Sequence, residues 1–253
     1  MNDRAIPVSR LRQALNNGEF VPYIQPVVRA SDLSVTGGEL LTRWHTPDGT
    51  LILPGEFIAR VEPAGLLPAL TCRMMQQAVN GITGTEGGFS RDFRLAVNVT
   101  PALLTDSRFT EACLTLAGPL RLVAELTEQA PFHTDGQTVR TLKRLHDAGV
   151  ELALDDFGTG CSVLSYLKYF PVRYLKMDRD FVRDILYEDA SRHIAECIVA
   201  LARKRHIRTV AEGVESREQA DYLRTLGVDY LQGYHTGAPE ALHTFIRLYR
   251  REC

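Results

Sequence analysis

Cysteine is scarce and unpaired. The five present, Cys72, Cys113, Cys161, Cys197 and Cys253, include no C-x-x-C pair and are odd in number. That excludes a disulfide framework and a cysteine-built zinc site, and fits free thiols in a reducing compartment. An excess charge of either sign is also missing. There are 29 Lys and Arg against 31 Asp and Glu, a formal net charge of −2, so nothing in the balance calls for a nucleic-acid polymer or an anionic membrane. No apolar run approaches the roughly 18 residues that span a bilayer, and the opening MNDRAIPVSRLRQ has no apolar signal-peptide core. The expectation is a soluble, cytoplasmic chain, or the cytoplasmic domain of a larger membrane protein.

What is present is ordinary globular composition, 45% hydrophobic and 24% charged over 253 residues. That length suits one domain of barrel type, so residues 1–253 are expected to form a single unit. SRLRQALNNGEF reads as a short helix closed at Asn17-Gly18, and residues 20–28 and 33–44 as two strands. Two helical segments follow the loop around Pro47 and Pro54. From residue 93 the chain alternates. Strands are expected at 93–100, 121–128, 150–158, 172–178, 207–213 and 228–234. Helices are expected at 101–116, 138–149, 161–170, from about 179 to 205, at 216–227 and at 239–249. Strands alternating with helices imply parallel βαβ units. About eight in this length is the size of a (β/α)8 barrel, with a doubly wound open sheet as the alternative.

The strands share an ending. Glu39, Asn98, Glu125, Asp155 with Asp156, Lys176 with Asp178, Glu212 and Gln232 all fall at strand C-termini, the face of such a barrel that carries active sites. A lone strand-end aspartate is usually a helix cap; a whole rim of polar ends asks for another reason. Carboxylates gathered without a counter-charge would force some to protonate. Hard divalent cations such as Mg²⁺ or Mn²⁺ remove that cost, since they prefer oxygen ligands. Two such ions are a standard device for cleaving phosphodiesters. Two rival roles attach to Lys176: a Schiff-base amine, which the acidic surroundings disfavour by raising its pKa, and a buried ion pair with Asp178 or Glu212.

The chain resembles the EAL domain family of bacterial cyclic-di-GMP phosphodiesterases. The resemblance rests on YIQP (23–26), GGELLTRW (37–44), LPGEFIARVEPAGLL (53–67), NVTP (98–101), ELTE (125–128), DDFGTG (155–160), YLKMDRDFV (174–182), AEGVES (211–216) and QGY (232–234), in family order. It implies an α/β fold, a modified (β/α)8 TIM barrel with the first strand antiparallel, and hydrolysis of cyclic di-GMP to linear pGpG in bacterial signalling. By position it implies Glu39, Asn98, Glu125 and Asp155 as ligands of one Mg²⁺ or Mn²⁺, and Asp155 with Asp156 and Glu212 around a second. Lys176 and Glu212 would be catalytic, the lysine acting on the attacking water. Gln25, Arg43 and Gln232 would hold the substrate, Arg43 offering a planar fork to phosphate. Glu128 would couple the site to a homodimer interface. Three departures stand out: Leu40 where the family carries alanine, Cys161 where it usually has an aromatic residue, and His235-Thr236-Gly237-Ala238 without the usual basic residue. They leave a second expectation open, a catalytically weak or inactive module that binds cyclic di-GMP or a protein partner.

Overall fold

Ten strands form one sheet, and eight of them close on themselves. The computed structural model describes residues 6–84, 88–127, 136–158 and 163–250, without the side chains of 163–165. In chain order the elements begin with α1 (Val8–Asn17), β1 (Phe20–Arg29), β2 (Val35–His45), β3 (Leu51–Ile52), α2 (Pro54–Val61) and α3 (Leu67–Thr83). Then come β4 (Arg94–Val99), α4 (Pro101–Thr105), α5 (Ser107–Leu116), β5 (Arg121–Leu126), α6 (Gly136–Asp147), β6 (Glu151–Phe157), α7 (Val163–Tyr169) and β7 (Val172–Met177). The last part holds α8 (Arg179–Arg183), α9 (Asp189–Arg205), β8 (Arg208–Ala211), α10 (Arg217–Leu226), β9 (Tyr230–Leu231), β10 (Glu240–Ala241) and α11 (Leu242–Tyr249).

The closed ring runs β1-β2-β4-β5-β6-β7-β8-β9. β1 is antiparallel to both its neighbours, β2 and β9, while the other neighbouring pairs of the ring are parallel. The expected α/β barrel with an inverted first strand is therefore what the chain builds, and the open sheet is excluded. β3 and β10 are two-residue additions at the margins.

The barrel interior is filled by small and aromatic side chains, Ala96, Val123, Ala153, Tyr174, Val210 and Tyr230. A larger apolar layer lies between the sheet and the surrounding helices, with Trp44, Phe57, Met74, Phe109 and Phe245 among its fully buried members. Alternation along each strand sends one set inward and the other against the helices.

Several expected boundaries move. The helix expected over 101–116 is two helices, because the Asp106 carboxylate accepts from the Arg108 N–H at 2.8 Å and caps a new start. The long helix ending at Arg205 is likewise broken between α8 and α9. The second strand begins at Val35, not residue 33, since Asp32 Oδ1 accepts from the Ser34 N–H at 3.0 Å and holds a turn. The strand expected over 228–234 shrinks to Tyr230–Leu231, which leaves Gln232 just past its end.

Candidate active site

Strand register assembles the rim. Glu39 on β2 lies opposite Gln25 of β1, and Asn98 on β4 opposite Glu125 of β5. Lys176 on β7 pairs with Val210 of β8. Glu212 follows β8 directly and its N–H donates to the Met177 carbonyl at 3.1 Å. The Gln232 N–H donates to the Ala211 carbonyl at 2.9 Å, which places it beside Glu212.

Asp155 and Asp156 are consecutive, and in a regular strand their side chains would point to opposite faces. β6 escapes that rule. Its register with β7 slips between Leu154↔Leu175 and Phe157↔Met177, so β6 carries an extra residue. Asp156 takes a left-handed backbone with φ of 52°, a conformation aspartate tolerates better than most side chains. Oxygens of Asp155, Asp156 and Glu212 consequently all come within 4.8 Å of one another.

Lys176 sits at the centre with 2% of its surface exposed. Its Nζ lies 2.5 Å from Glu212 Oε1, 2.9 Å from Glu125 Oε1, 3.0 Å from Asp155 Oδ1 and 3.8 Å from Glu39 Oε2. Burial acts to lower its pKa, but Asp155, Glu125, Glu212 and Glu39 together raise it well above the ordinary lysine value. A lysine so charged is no carbonyl nucleophile, and the Schiff-base role falls. The expected pairing with Asp178 does not form either. Asp178 caps α8 instead, accepting from the Asp180 N–H at 2.7 Å, and it hydrogen-bonds Asp156.

The carboxylates are held against their chemistry. Burial and the neighbouring acids raise Glu125 well above the usual range, with Lys176 opposing. Burial pushes Glu212 up to about 8 and Asp156 up to about 6. One lysine cannot neutralise five acids. Glu125 Oε2 is buried with no hydrogen-bond partner among the described residues. A buried carboxylate oxygen without a partner, beside acids whose pKa burial raises, is suited to holding a cation. The donor set of carboxylate and amide oxygens fits a hard divalent ion.

Around this centre lies a polar frame. Asn98 Nδ2 donates to Glu39 Oε1 at 2.7 Å and Gln232 Nε2 to Glu39 Oε2 at 2.6 Å. Gln232 Nε2 also reaches Gln25 Oε1 at 3.3 Å, and Gln25 Nε2 donates to the Gly237 carbonyl at 3.2 Å. Arg43, half-buried, lies over the Tyr23 ring at 5.5 Å, and the Tyr23 hydroxyl is 3.1 Å from His45 Nε2. The sequence reading assigned Tyr23 and His45 no role. The alternation in FVPYIQPVV would have found Tyr23, which shares a face with Gln25.

Of the site residues expected from sequence, Gln25, Glu39, Asn98, Glu125, Asp155, Asp156, Lys176, Glu212 and Gln232 come together at the C-terminal mouth, with Arg43 at its edge. Glu128 and Cys161 lie outside the described residues. Leu40 faces away from the barrel axis. It is buried against α2 and α3, lining an apolar cavity of about 250 Å³ with Ile58, Leu70, Met74 and Leu103. The larger side chain at this position therefore does not intrude on the barrel interior beneath Glu39. The 235–238 stretch does touch the frame, through Gly237 and Gln25.

Residues 8–239 match the family model described as the EAL domain. The chain is 38% identical over 238 residues to the cyclic di-GMP phosphodiesterase PdeL of Escherichia coli, covering 92% of this chain and 66% of that protein. It is 35% identical over 248 residues to the cyclic di-GMP phosphodiesterase NbdA of Pseudomonas aeruginosa, covering 95% of this chain and 32% of that protein. The chain thus spans between about a third and two thirds of these curated relatives. Among solved structures it superposes on the PaMucR phosphodiesterase in complex with c-di-GMP with a TM-score of 0.85 at 32% identity, covering 94% of this chain and 98% of that one.

Proposed function

The chain belongs to the EAL domain family, and from that premise we propose that it is a metal-dependent phosphodiesterase that hydrolyses cyclic di-GMP to linear pGpG. The observation that carries the reading is the complete acidic rim: Glu39, Glu125, Asp155, Asp156 and Glu212 converge around one buried lysine. Glu39, Asn98, Glu125 and Asp155 would hold one Mg²⁺ or Mn²⁺, and Asp155, Asp156 and Glu212 a second. Such ions, when bound, lower the pKa of water and neutralise charge developing on the phosphate.

The protein's own groups do the rest. Lys176, held protonated by its acids, would orient the attacking water and present a positive charge to the reacting phosphate. Glu212, once ionised beside a cation, would accept a proton from the attacking water. Arg43 would clamp a phosphate oxygen, with Gln25 and Gln232 fixing the dinucleotide's register. A homodimer coupled through Glu128 extends the same proposal. The binding-module alternative draws on the 235–238 departure, which meets Gln25 through Gly237; its signature would be cyclic di-GMP bound and left intact.

The test is incubation with cyclic di-GMP and Mg²⁺ followed by chromatography for pGpG. Asp155→Asn, nearly isosteric, should abolish product while leaving the fold intact, because removing one charged ligand cripples water activation. Full turnover in excess chelator would sink the metal assignment, and turnover within about tenfold of wild type in Asp155→Asn (about 1.4 kcal/mol of barrier) would sink the role given to that residue.

A further inference from the structure

The opposite end of the barrel has the opposite charge. At the N-terminal mouth a cavity of about 910 Å³ is lined by Arg29, Arg94, Arg121, Arg173, Arg208 and Arg250, and among the described residues only Asp32, Asp92 and Glu151 add carboxylates. Strand register puts the arginines in a row. Arg94 and Arg121 are paired at the starts of β4 and β5, Arg173 lies near the start of β7, and Arg208 opens β8 against Tyr174. Four strands of the ring, β4, β5, β7 and β8, thus bring arginines to this mouth, with Glu151 of β6 between the two pairs.

The acids present do not satisfy them. Asp32 is taken by Arg29 at 2.9 Å and Asp92 by Arg121 at 3.0 Å. Glu151 accepts from the Tyr174 hydroxyl at 2.7 Å, and its nearest guanidinium atom, Arg94 Nε, stays 3.8 Å away. Arg94 Nε is buried with no hydrogen-bond partner among the described residues. Arg94 and Arg208 instead lie over the Tyr230 ring, at 5.3 and 5.8 Å, and Arg208 Nη1 donates to the Tyr230 hydroxyl. Arg173, Arg208 and Arg250 form no ion pair among the described residues. A catalytic barrel has no need of this arrangement at its stability face, and packed guanidinium groups repel one another unless an anion joins them.

We propose that the N-terminal mouth is a second ligand site, which binds an oligophosphate anion, a chain of two or more linked phosphates. Guanidinium groups are forked donors matched to phosphate oxygens. Arginines contributed by four strands around one mouth suit several linked phosphates better than one. Phe89 and Tyr249 line the same wall, each packed against Phe245, so any nucleoside attached to the chain would meet their outer edges. The site is separate from the acidic rim and does not rest on cyclic di-GMP hydrolysis.

The test is calorimetric titration of the 253-residue chain with inorganic tripolyphosphate and, separately, with GTP, each at low and high salt. The expected result is saturable binding of one equivalent that weakens with salt. Arg173→Ala, at an exposed position, should weaken it about tenfold or more, the range of a lost charge-assisted contact. Arg173→Ala/Arg208→Ala, checked for an unchanged melting transition, should abolish it. Excess cyclic di-GMP should not displace the anion. GTP binding more tightly than tripolyphosphate identifies a nucleotide as the source, and equal affinities identify the phosphate chain alone. The proposal is overturned by absence of saturable binding for both probes, by affinity unchanged in Arg173→Ala, or by displacement with cyclic di-GMP.

Discussion

Lys176 shows how much a single position depends on its surroundings. From sequence its ion-pair partner could be Asp178 or Glu212; in the fold Asp178 is a helix cap and the lysine faces Glu125, Asp155 and Glu212. Sequence reasoning offered Glu212 as one partner, and the structure has it; Glu125 and Asp155 escaped as partners because they come from β5 and β6. Leu40 is a similar case: period-2 alternation says that it and Glu39 face opposite ways, but only the closed barrel says which way is in. Lys176→Ala is expected to eliminate turnover while cyclic di-GMP binding with Mg²⁺ persists, since a contact made mainly in the transition state leaves ground-state binding largely intact. Without metal the same change strands three buried acids, and the fold should weaken by about 3–5 kcal/mol. With metal present the melting temperature should largely recover. Thermal melting and calorimetry on the one variant, with and without Mg²⁺, check both halves. Binding lost in step with melting even when Mg²⁺ is present would make the lysine a structural residue only.

At the scale of elements, the alternation of strands and helices was legible because each parallel strand is a short apolar run and each helix has its own stop. α10 is the clearest case, with Ser216 and Gln219 forming a capping box and Gly227 ending the helix at φ of 91°. What escaped were features made by contacts distant in sequence. Gln219 Nε2 also donates to the carbonyls of Val182 and Arg183, at 3.1 and 3.2 Å, tying α10 to the end of α8. Gln219→Ala should therefore cost more than a lost cap, about 2–3 kcal/mol through the orphaned backbone groups, read as a lower denaturation midpoint without a change in slope. The loop after β9 is constrained more tightly. A Cβ at Gly233 would lie 2.2 Å from the Val214 carbonyl oxygen and 2.3 Å from its nitrogen. That close approach lets the Val214 N–H donate to the Gln232 carbonyl and the His235 N–H to the Val214 carbonyl, both at 3.0 Å. Gly233→Ala must push apart the segments carrying Gln232 and Glu212. A stability loss of about 1–3 kcal/mol is expected, with a disproportionate fall in kcat. Wild-type kcat in that variant would mean that the loop does not position the site.

At the scale of the molecule, the barrel axis runs from an acidic rim to a basic one, and the acidic rim makes stability depend on pH in an unusual direction. Four surface acids follow the ordinary rule. Asp32, Asp48, Asp106 and Glu218 are held low by hydrogen bonds in the fold, so their contribution is present above the unfolded carboxylate range and disappears as acid protonates them. Three acids of the rim go the other way. Glu125 is raised well above its unfolded value, Glu212 to about 8 and Asp156 to about 6. A raised carboxylate binds its proton more tightly folded than unfolded, so its contribution is complete below the unfolded pKa and fades as pH rises through the folded one. In chelator, the protein should lose about 2–3 kcal/mol between pH 6 and pH 8, at about 1.4 kcal/mol for each unit of titration. That corresponds to a melting temperature lower by about 5–10 °C for a chain of this size. Mg²⁺ or Mn²⁺ should reverse the trend, because ligation takes over from protonation, and stabilisation by metal should grow with pH. Calorimetric titration near pH 7 should register protons released on binding, as a heat that changes with the ionisation enthalpy of the buffer. A melting temperature flat from pH 6 to 8 without metal, together with metal binding that releases no protons, would mean that the rim is already ionised and that Lys176 alone balances it.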